Sequence, residues 1–427
     1  MEQPNVTGDG DAALTPAFWG TVVATGVATG LLGALMLLIL FTVQSLAFGY
    51  HTGSFESGVA AAGATRRVVS LLVAGAGGGV AWYLLRRVTT GEASSVDDVL
   101  WHGDARLSFR RSVGTAVISE VVIGMGASIG REAAPKLLGG AVASVLADWT
   151  RLSVPQRRLL VACGAGAGLA AVYNVPLGGA LFTAEILMGA VTLPVILPAL
   201  VCSGIATVTA WIYLPNHATY LAIPAYQLSP TLLIWALLVG PLVGLVAVVY
   251  IRLVGWVSHH QLTGRQVLGG PLVAFGVLGL IGIHYPQLLG NGQDMAHDVF
   301  GGAGGIALLA TLCVLKPVVT ALCLGSGASG GLFTPVMSTG AVLGGVLGGV
   351  WSHLWPGAPL GAYAMIGAAA LIGAGMQAPL AALVLVLELT HSGFSLMIPL
   401  MAATATATAV ARHVDGYSIY TARLTAV

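Results

Sequence analysis

From Phe18 to Phe48 the chain runs without one charged side chain, and a train of apolar segments follows it almost to the C-terminus. That first run is longer than the roughly 20 residues that carry a helix across the hydrocarbon core, so it reads as a long, tilted spanning helix. Further segments cover Arg67 to Leu85, Val113 to Ile129, Pro135 to Leu146, Arg158 to Ala170, Pro176 to Met188 and Leu193 to Leu214. A second series covers Leu228 to Val257, Val267 to Ile283, Ile306 to Leu324, Phe333 to Val350, Tyr363 to Gly373, Pro379 to Leu389 and Leu396 to Val410. Only 8% of the 427 residues are charged, too few to clothe a water-soluble surface of this size. An ordinary soluble domain carries roughly 25%. The expected fold class is an all-α polytopic membrane protein, its outward apolar side chains solvated by the lipid bilayer.

A net charge of +1 and the lack of a basic run argue against nucleic acid as a partner. Cys163, Cys202, Cys313 and Cys323 stand singly in apolar stretches, which suits small buried hydrophobes. No HExxH pattern occurs, and His259-His260 lies in a polar stretch, so neither a metal nor another cofactor is expected. The polar segment 1–16 has no Lys or Arg, unlike a secretory leader. Arg86, Arg87, Arg106, Arg110 and Arg111 flank one polar region, which the positive-inside rule assigns to the cytoplasm. The expected location is the plasma (inner) membrane, crossed several times.

Several apolar segments hold only about 11 to 14 residues, short of a full span. The breaks between them, Gly124 to Pro135 and Gly325 to Pro335, are rich in Gly and Pro. Helices that end inside a membrane present their N-terminal N–H groups, with partial positive charge, to a bound anion. A weak repeat accompanies the breaks. Asn174-Val-Pro176-Leu177 leads to Glu185 as Gln377-Ala-Pro379-Leu380 leads to Glu388, and Gly126-Ala-Ser128 has its counterpart in Gly327-Ala-Ser329. The expected organisation is two similar membrane halves, 17–214 and 230–427, joined by 215–229. No soluble C-terminal domain is expected.

Glu132 stands between a glycine-rich break and a new helix, where an anion would also bind. Charged, it competes with the anion; protonated, it loses that attraction and swings away, linking proton to anion movement. It can instead pair with Arg131 or with Lys136, one turn on. Gly130-Arg131-Glu132 with its downstream Pro135 resembles the GREGP motif of the CLC family of chloride channels and proton/chloride antiporters. Gly330-Gly331-Leu332-Phe333-Thr334-Pro335 looks like that family's GxFxP motif, and Asn174-Val-Pro176-Leu177 like its NAPL segment. Ser418-Ile419-Tyr420 is similar to the segment that carries its pore tyrosine. The resemblance spans about Gly91 to Tyr420. It implies an inverted repeat of two helical halves with broken and tilted helices. It also implies a dimer joined near Arg158 to Met188 and Tyr363 to Thr390.

Carried over to this chain, the resemblance makes Glu132 the external gate, within an anion site that includes Gly130 and Arg131. Backbone amides of Leu332 and Phe333 would coordinate the anion, and the Tyr420 hydroxyl would donate from the inner side. Taken alone, Tyr420 fits an interfacial aromatic belt better.

Three positions depart from the family. Gly91 stands where its serine motif supplies a hydroxyl, so Thr90, Ser94 or backbone amides would have to substitute. Lys136 follows Glu132 and would either hold its carboxylate charged or raise the local anion concentration. Ile186 occupies the place of the inner proton-relay glutamate, with Glu185 just before it and about 100° away on a helix. Lys316, before Pro317 in an apolar stretch, would face the pore or snorkel. Chloride transport, coupled to protons or passive, is the expected function, with fluoride or nitrate as alternative substrates. An intramembrane enzyme lacks a nucleophile and base pair in this sequence.

Overall fold

The computed structural model describes residues 12–89, 95–392 and 394–424, and helices make up their extended regular structure. The chain opens with α1 (Pro16–Phe48), α2 (Phe55–Ala61), α3 (Ala64–Val88), α4 (Val96–His102) and α5 (Phe109–Gly124). Next come α6 (Ala133–Trp149), α7 (Val154–Tyr173), α8 (Pro176–Leu181) and α9 (Leu193–Ala210). Then follow α10 (Pro230–His259), α11 (Gly270–Ile281), α12 (Gln293–Phe300) and α13 (Ile306–Gly325). The last four are α14 (Phe333–Trp351), α15 (Leu360–Met376), α16 (Pro379–Thr390) and α17 (Met397–Val414). Among the described residues, eight helical stretches are long and apolar enough to cross a membrane by length and composition. Leu237, Leu242, Leu245 and Val249 of α10 are exposed, as lipid-facing residues of a spanning helix should be.

Several elements depart from the sequence reading for local reasons. α5 stops at Gly124 instead of Ile129, because Gly126 takes a φ of +111° and breaks the helical path. Three of the segments expected to be short are longer, α6 at 17 residues, α7 at 20 and α15 at 17, while α16 stays short at 12; α7 is started by a capping box in which Ser153 and Gln156 bond reciprocally. Pro176 to Met188 holds one short helical run, α8 continued directly by a π-helical turn, Phe182–Leu187. The helices α2, α4 and α12, of 7, 7 and 8 residues, are too short to be read from the sequence.

The chain divides into two compact units. The first comprises residues up to Leu38, 85–117 and 132–219, with α6 packed on α7 and α7 on α9. Gly139 and Gly164 let α6 and α7 touch backbone to backbone: a Cβ on Gly139 would stand 2.0 Å from the Gly164 carbonyl oxygen. The second unit comprises 39–84, 118–131 and 220–427, with α14 packed on α15 and α10 on α17. There a Cβ on Gly340 would meet the Gly367 carbonyl oxygen at 2.7 Å. Asn174 and Gln377, each with φ of +56°, end α7 and α15 in the left-handed conformation just before Pro176 and Pro379. The repeated sequence thus builds the same helix pair, the same stop and the same restart twice.

Gly139→Ala is expected to lower stability by about 2 kcal/mol or more, because the added methyl meets backbone instead of a yielding side chain. Gly20→Ala is the control, since a Cβ there has nothing within 4 Å. Thermal unfolding in detergent checks it: equal midpoints for the two variants would contradict the close packing.

Among the stretches expected at a dimer contact, α7 and α15 are buried within the chain. Only Leu177 of α8 and Leu380 of α16 offer well-exposed apolar surface there. Burial also separates α14 from the other long helices. Its apolar window is 78% buried, against 50% or less for the rest, so it runs through the interior.

Candidate functional site

The two glycine breaks are built alike. Gly126 and Gly327 both have positive φ, +111° and +90°, and each is followed by Ala and Ser. Gly130 and Gly331 then exchange two backbone hydrogen bonds of 2.8 Å, forming an antiparallel bridge. A helix begins three residues after Gly130 and two after Gly331. A Cβ on Gly330 would strike Ile129 at 2.6 Å, so only glycine lets the chains approach this closely.

Lys316 secures one of these breaks. Its side chain is fully buried, and its ammonium donates to Ser128 Oγ at 2.9 Å, the Gly290 carbonyl at 2.8 Å and the Leu288 carbonyl at 3.3 Å. Three donors meet three acceptors. The Gly290 N–H in turn donates to the Gly126 carbonyl at 2.9 Å. Lys316 therefore does not snorkel: it ties the segment 126–130 to the segment 288–290. Ser119 Oγ donates to the Ser329 carbonyl at 2.6 Å and serves the second break in the same way.

Glu132 occupies the N-cap of α6 and is 4% exposed. Its side chain makes no capping bond to its own helix. Instead the Tyr173 hydroxyl, at the end of α7, donates to Glu132 Oε2 at 3.4 Å. The contact is long and neutral, which suits a carboxylate that changes its protonation and position. The Lys136 ammonium lies 2.8 and 3.2 Å from the two Asp97 carboxylate oxygens and 5.8 Å from the Phe182 ring centre. Both side chains of that pair are nearly buried, 12% and 11% exposed. Asp97 and Tyr173 escaped the sequence reading. They come from distant parts of the chain and carry no motif.

Leu332 is the N-cap of α14, and Leu332 and Phe333 are both buried. Leu332 gives no side-chain capping bond to its helix, and a helix N-terminus is where an anion binds most readily. Tyr420 is buried in a turn where Ser418 Oγ accepts from the N–H groups of Tyr420 and Thr421, at 3.3 and 3.1 Å. The neighbouring Ile419 N–H donates to the Gly375 carbonyl of α15 at 2.8 Å, anchoring the turn. Gly130, Arg131, Leu332, Phe333 and Tyr420 belong to the second unit, and Glu132, Lys136, Glu185 and Ile186 to the first. Gly91, with Thr90 and Ser94, lies outside the described residues.

Glu185 and Ile186 fall in the π-helical turn, so the 100° spacing of an α-helix does not apply to them. Ile186 is buried and Glu185 half-buried. The repeat partner of Glu185, Glu388, lies instead on the regular helix α16. Thr183 is held inside the π turn, its hydroxyl donating to the Gly179 carbonyl at 3.0 Å.

The family model described as voltage gated chloride channel matches residues 77–412. A ClcB-like protein of Ralstonia nicotianae is 33% identical over 386 residues, covering 86% of this chain and 88% of that protein. The H(+)/Cl(-) exchange transporter ClcA of Vibrio campbellii is 29% identical over 374 residues, covering 83% and 78%. Among solved structures, a slow cyanobacterial Cl-/H+ antiporter superposes with a TM-score of 0.82 at 21% identity, over 96% of this chain and 97% of that one. A CLC-type fluoride/proton antiporter gives 0.75 at 21% identity, over 96% and 98%.

Proposed function

The chain belongs to the CLC family of voltage-gated chloride channels, and from that premise we propose that it moves chloride across the membrane in exchange for protons, with Glu132 as the gate. The observation that carries this reading is the buried Glu132 carboxylate at the start of α6, met by the neutral hydroxyl of Tyr173. An ionised carboxylate there is attracted to the helix N-terminus and occupies the place an anion would take. Protonation removes the attraction, the side chain moves off and the anion passes. The backbone N–H groups of Leu332 and Phe333 coordinate that anion, with the Tyr420 hydroxyl donating from the inner side and Gly130 and Arg131 lining the approach. Lys136, held by Asp97, acts as a fixed positive charge near α6. The protein works as a transporter and not as an enzyme, as a multi-pass protein of the inner membrane. It does so as two repeat halves, 17–214 and 230–427, and as a homodimer.

Passive conduction is the second reading, favoured by Ile186. A buried aliphatic side chain cannot carry a proton at the position where the family's exchangers use a carboxylate. In the proposed exchange, protons reach Glu132 from the inner side through Glu185 or water. Fluoride is the alternative substrate, since a fluoride/proton antiporter shares the fold.

Efflux from liposomes containing the purified protein tests the substrate, with chloride, nitrate and fluoride compared at equal gradients. Chloride is expected to leave at least about tenfold faster than fluoride, because fluoride surrenders its hydration far less readily to a few neutral donors. Fluoride efflux exceeding chloride efflux would overturn the assignment.

A further inference from the structure

One cavity holds polar groups that this transport cycle does not use. It measures about 500 Å³ and is lined by Glu56, Gln287, Asn291, Gln293, Asp294 and Arg131, all of the second unit. Glu56 Oε2, Gln287 Oε1, Asn291 Nδ2 and Gln293 Oε1 are buried and have no hydrogen-bond partner within the protein. Buried polar atoms are normally paired, so a group of four around one cavity marks a place built for water and mobile ions.

The carboxylates are positioned by local structure. Ser54 caps α2, accepting from the Ser57 N–H at 3.2 Å, and the Glu56 N–H donates to Asp294 Oδ2 at 2.7 Å. Asp294 itself stands in the first turn of α12, next to Gln293, whose N–H is fixed by Asn291 Oδ1 at 3.2 Å. Two acidic side chains therefore share one cavity wall with Arg131, the residue immediately before Glu132.

The charged and titratable groups around Glu56 come from every neighbouring element. Asp294, His297 and Asp298 lie on α12, Lys316 on α13, Tyr50 and His51 on the turn before α2, and Arg131 on the first glycine break. Burial, and then Asp298 and Asp294, raise the Glu56 carboxyl from its usual 4.5 to about 7, against weaker opposing effects of Gln287 and Lys316. Burial also raises Asp294 above its usual range, opposed by the Glu56 N–H and Arg131.

The cavity opens on the outer face. α3 has 25 residues, about 37 Å at roughly 1.5 Å per residue, enough to cross the bilayer. Its C-terminal end carries Arg86 and Arg87, followed by Arg106, Arg110 and Arg111, and is cytoplasmic by the positive-inside rule. α2 precedes its other end. Arg66 and Arg67, at that outer end, are held by backbone carbonyls of 46–47 and of 59–62 and 282–283.

We propose that Glu56 is an external proton-binding residue that sets how readily anions are admitted: neutral, it leaves Arg131 to offset Asp294, and ionised, it adds a negative charge that repels the anion. The proposal rests on the anion-transport reading but not on Glu132 being the gate. Anion access is then high below about pH 7 and falls above it, the direction expected of a carboxyl whose proton is retained to that pH.

Anion efflux from liposomes, with external pH varied from about 6 to 8, tests this. The wild-type rate is expected to fall about two- to fivefold over that range, the order of effect of one added charge whose field is largely screened by water. Glu56→Gln is expected to hold its pH 6 rate at pH 8. In a Glu132→Gln background the residual pH dependence is expected to persist and to vanish on adding Glu56→Gln. A wild-type pH profile in Glu56→Gln, or a flat profile in Glu132→Gln alone, would overturn the proposal.

Full proton coupling in Glu132→Gln would instead sink the gate and leave the Glu56 comparison standing. Thermal stability supplies a second readout. Because the folded-state pKa is raised, Glu56 stabilises the fold below about pH 4.5 relative to neutral pH, and that contribution is lost as pH rises to about 7. Glu56→Gln should remove that part of the slope, and an unchanged slope would contradict the assignment.

Discussion

Glu132→Gln is expected to keep anion efflux while reducing coupled proton movement at least about tenfold, because a carboxamide holds the place of the carboxylate but binds no proton near neutral pH. The substitution preserves size and the contact to Tyr173, so a loss of coupling without a loss of folding isolates the charge. Glutamine also resembles the protonated gate, which favours the open path. Liposomes in which chloride efflux and external pH are followed together provide the check. Glu132→Asp should retain partial coupling, since the carboxylate survives on a shorter arm. Tyr173→Phe removes the long 3.4 Å hydrogen bond and should alter the rate far less than either.

Lys316→Met carries the second large effect. Methionine fills much of the lysine volume but leaves Ser128 Oγ and the carbonyls of Leu288 and Gly290 without their donor. Orphaning buried acceptors costs about 1–3 kcal/mol each, offset in part by no longer burying a cation, so a net loss of about 3–5 kcal/mol is expected. The tie between segments 126–130 and 288–290 goes with it, and transport should fall more than about tenfold as the segment leading to Glu132 loosens. Ser128→Ala removes one acceptor only and should cost about 1 kcal/mol. Thermal unfolding in detergent and the flux assay together check both variants. Wild-type stability and flux in Lys316→Met would show that the buried ammonium is not the tie described.

Much of the helical framework was legible in the sequence because it rests on features that repeat or break regularly. Apolar runs locate the spanning helices, and the glycines at 126, 130, 327 and 331 mark where regular backbone must stop. The repeat was legible for the same reason: Asn174 and Gln377 stand before Pro176 and Pro379, and both end their helices in the left-handed conformation. What escaped depends on tertiary partners. Lys136 finds Asp97 at 39 residues' separation, and Lys316 finds Ser128 at 188. α2 is set by Ser54 and Asp294, not by its own propensity. The π-helical turn at Phe182–Leu187 has no periodic signature of its own, so the orientations of Glu185 and Ile186 were beyond a reading at 100° per residue.

Proton movement driven by a chloride gradient tests the proposed exchange most directly. Liposomes containing the wild-type protein and loaded with chloride are diluted into low-chloride buffer at a slightly alkaline external pH, with the membrane voltage clamped by a potassium ionophore. An exchanger draws protons inward against their gradient while chloride leaves, and the external medium becomes more alkaline. Chloride leaving with no proton movement would contradict the exchange and assign the protein to passive conduction.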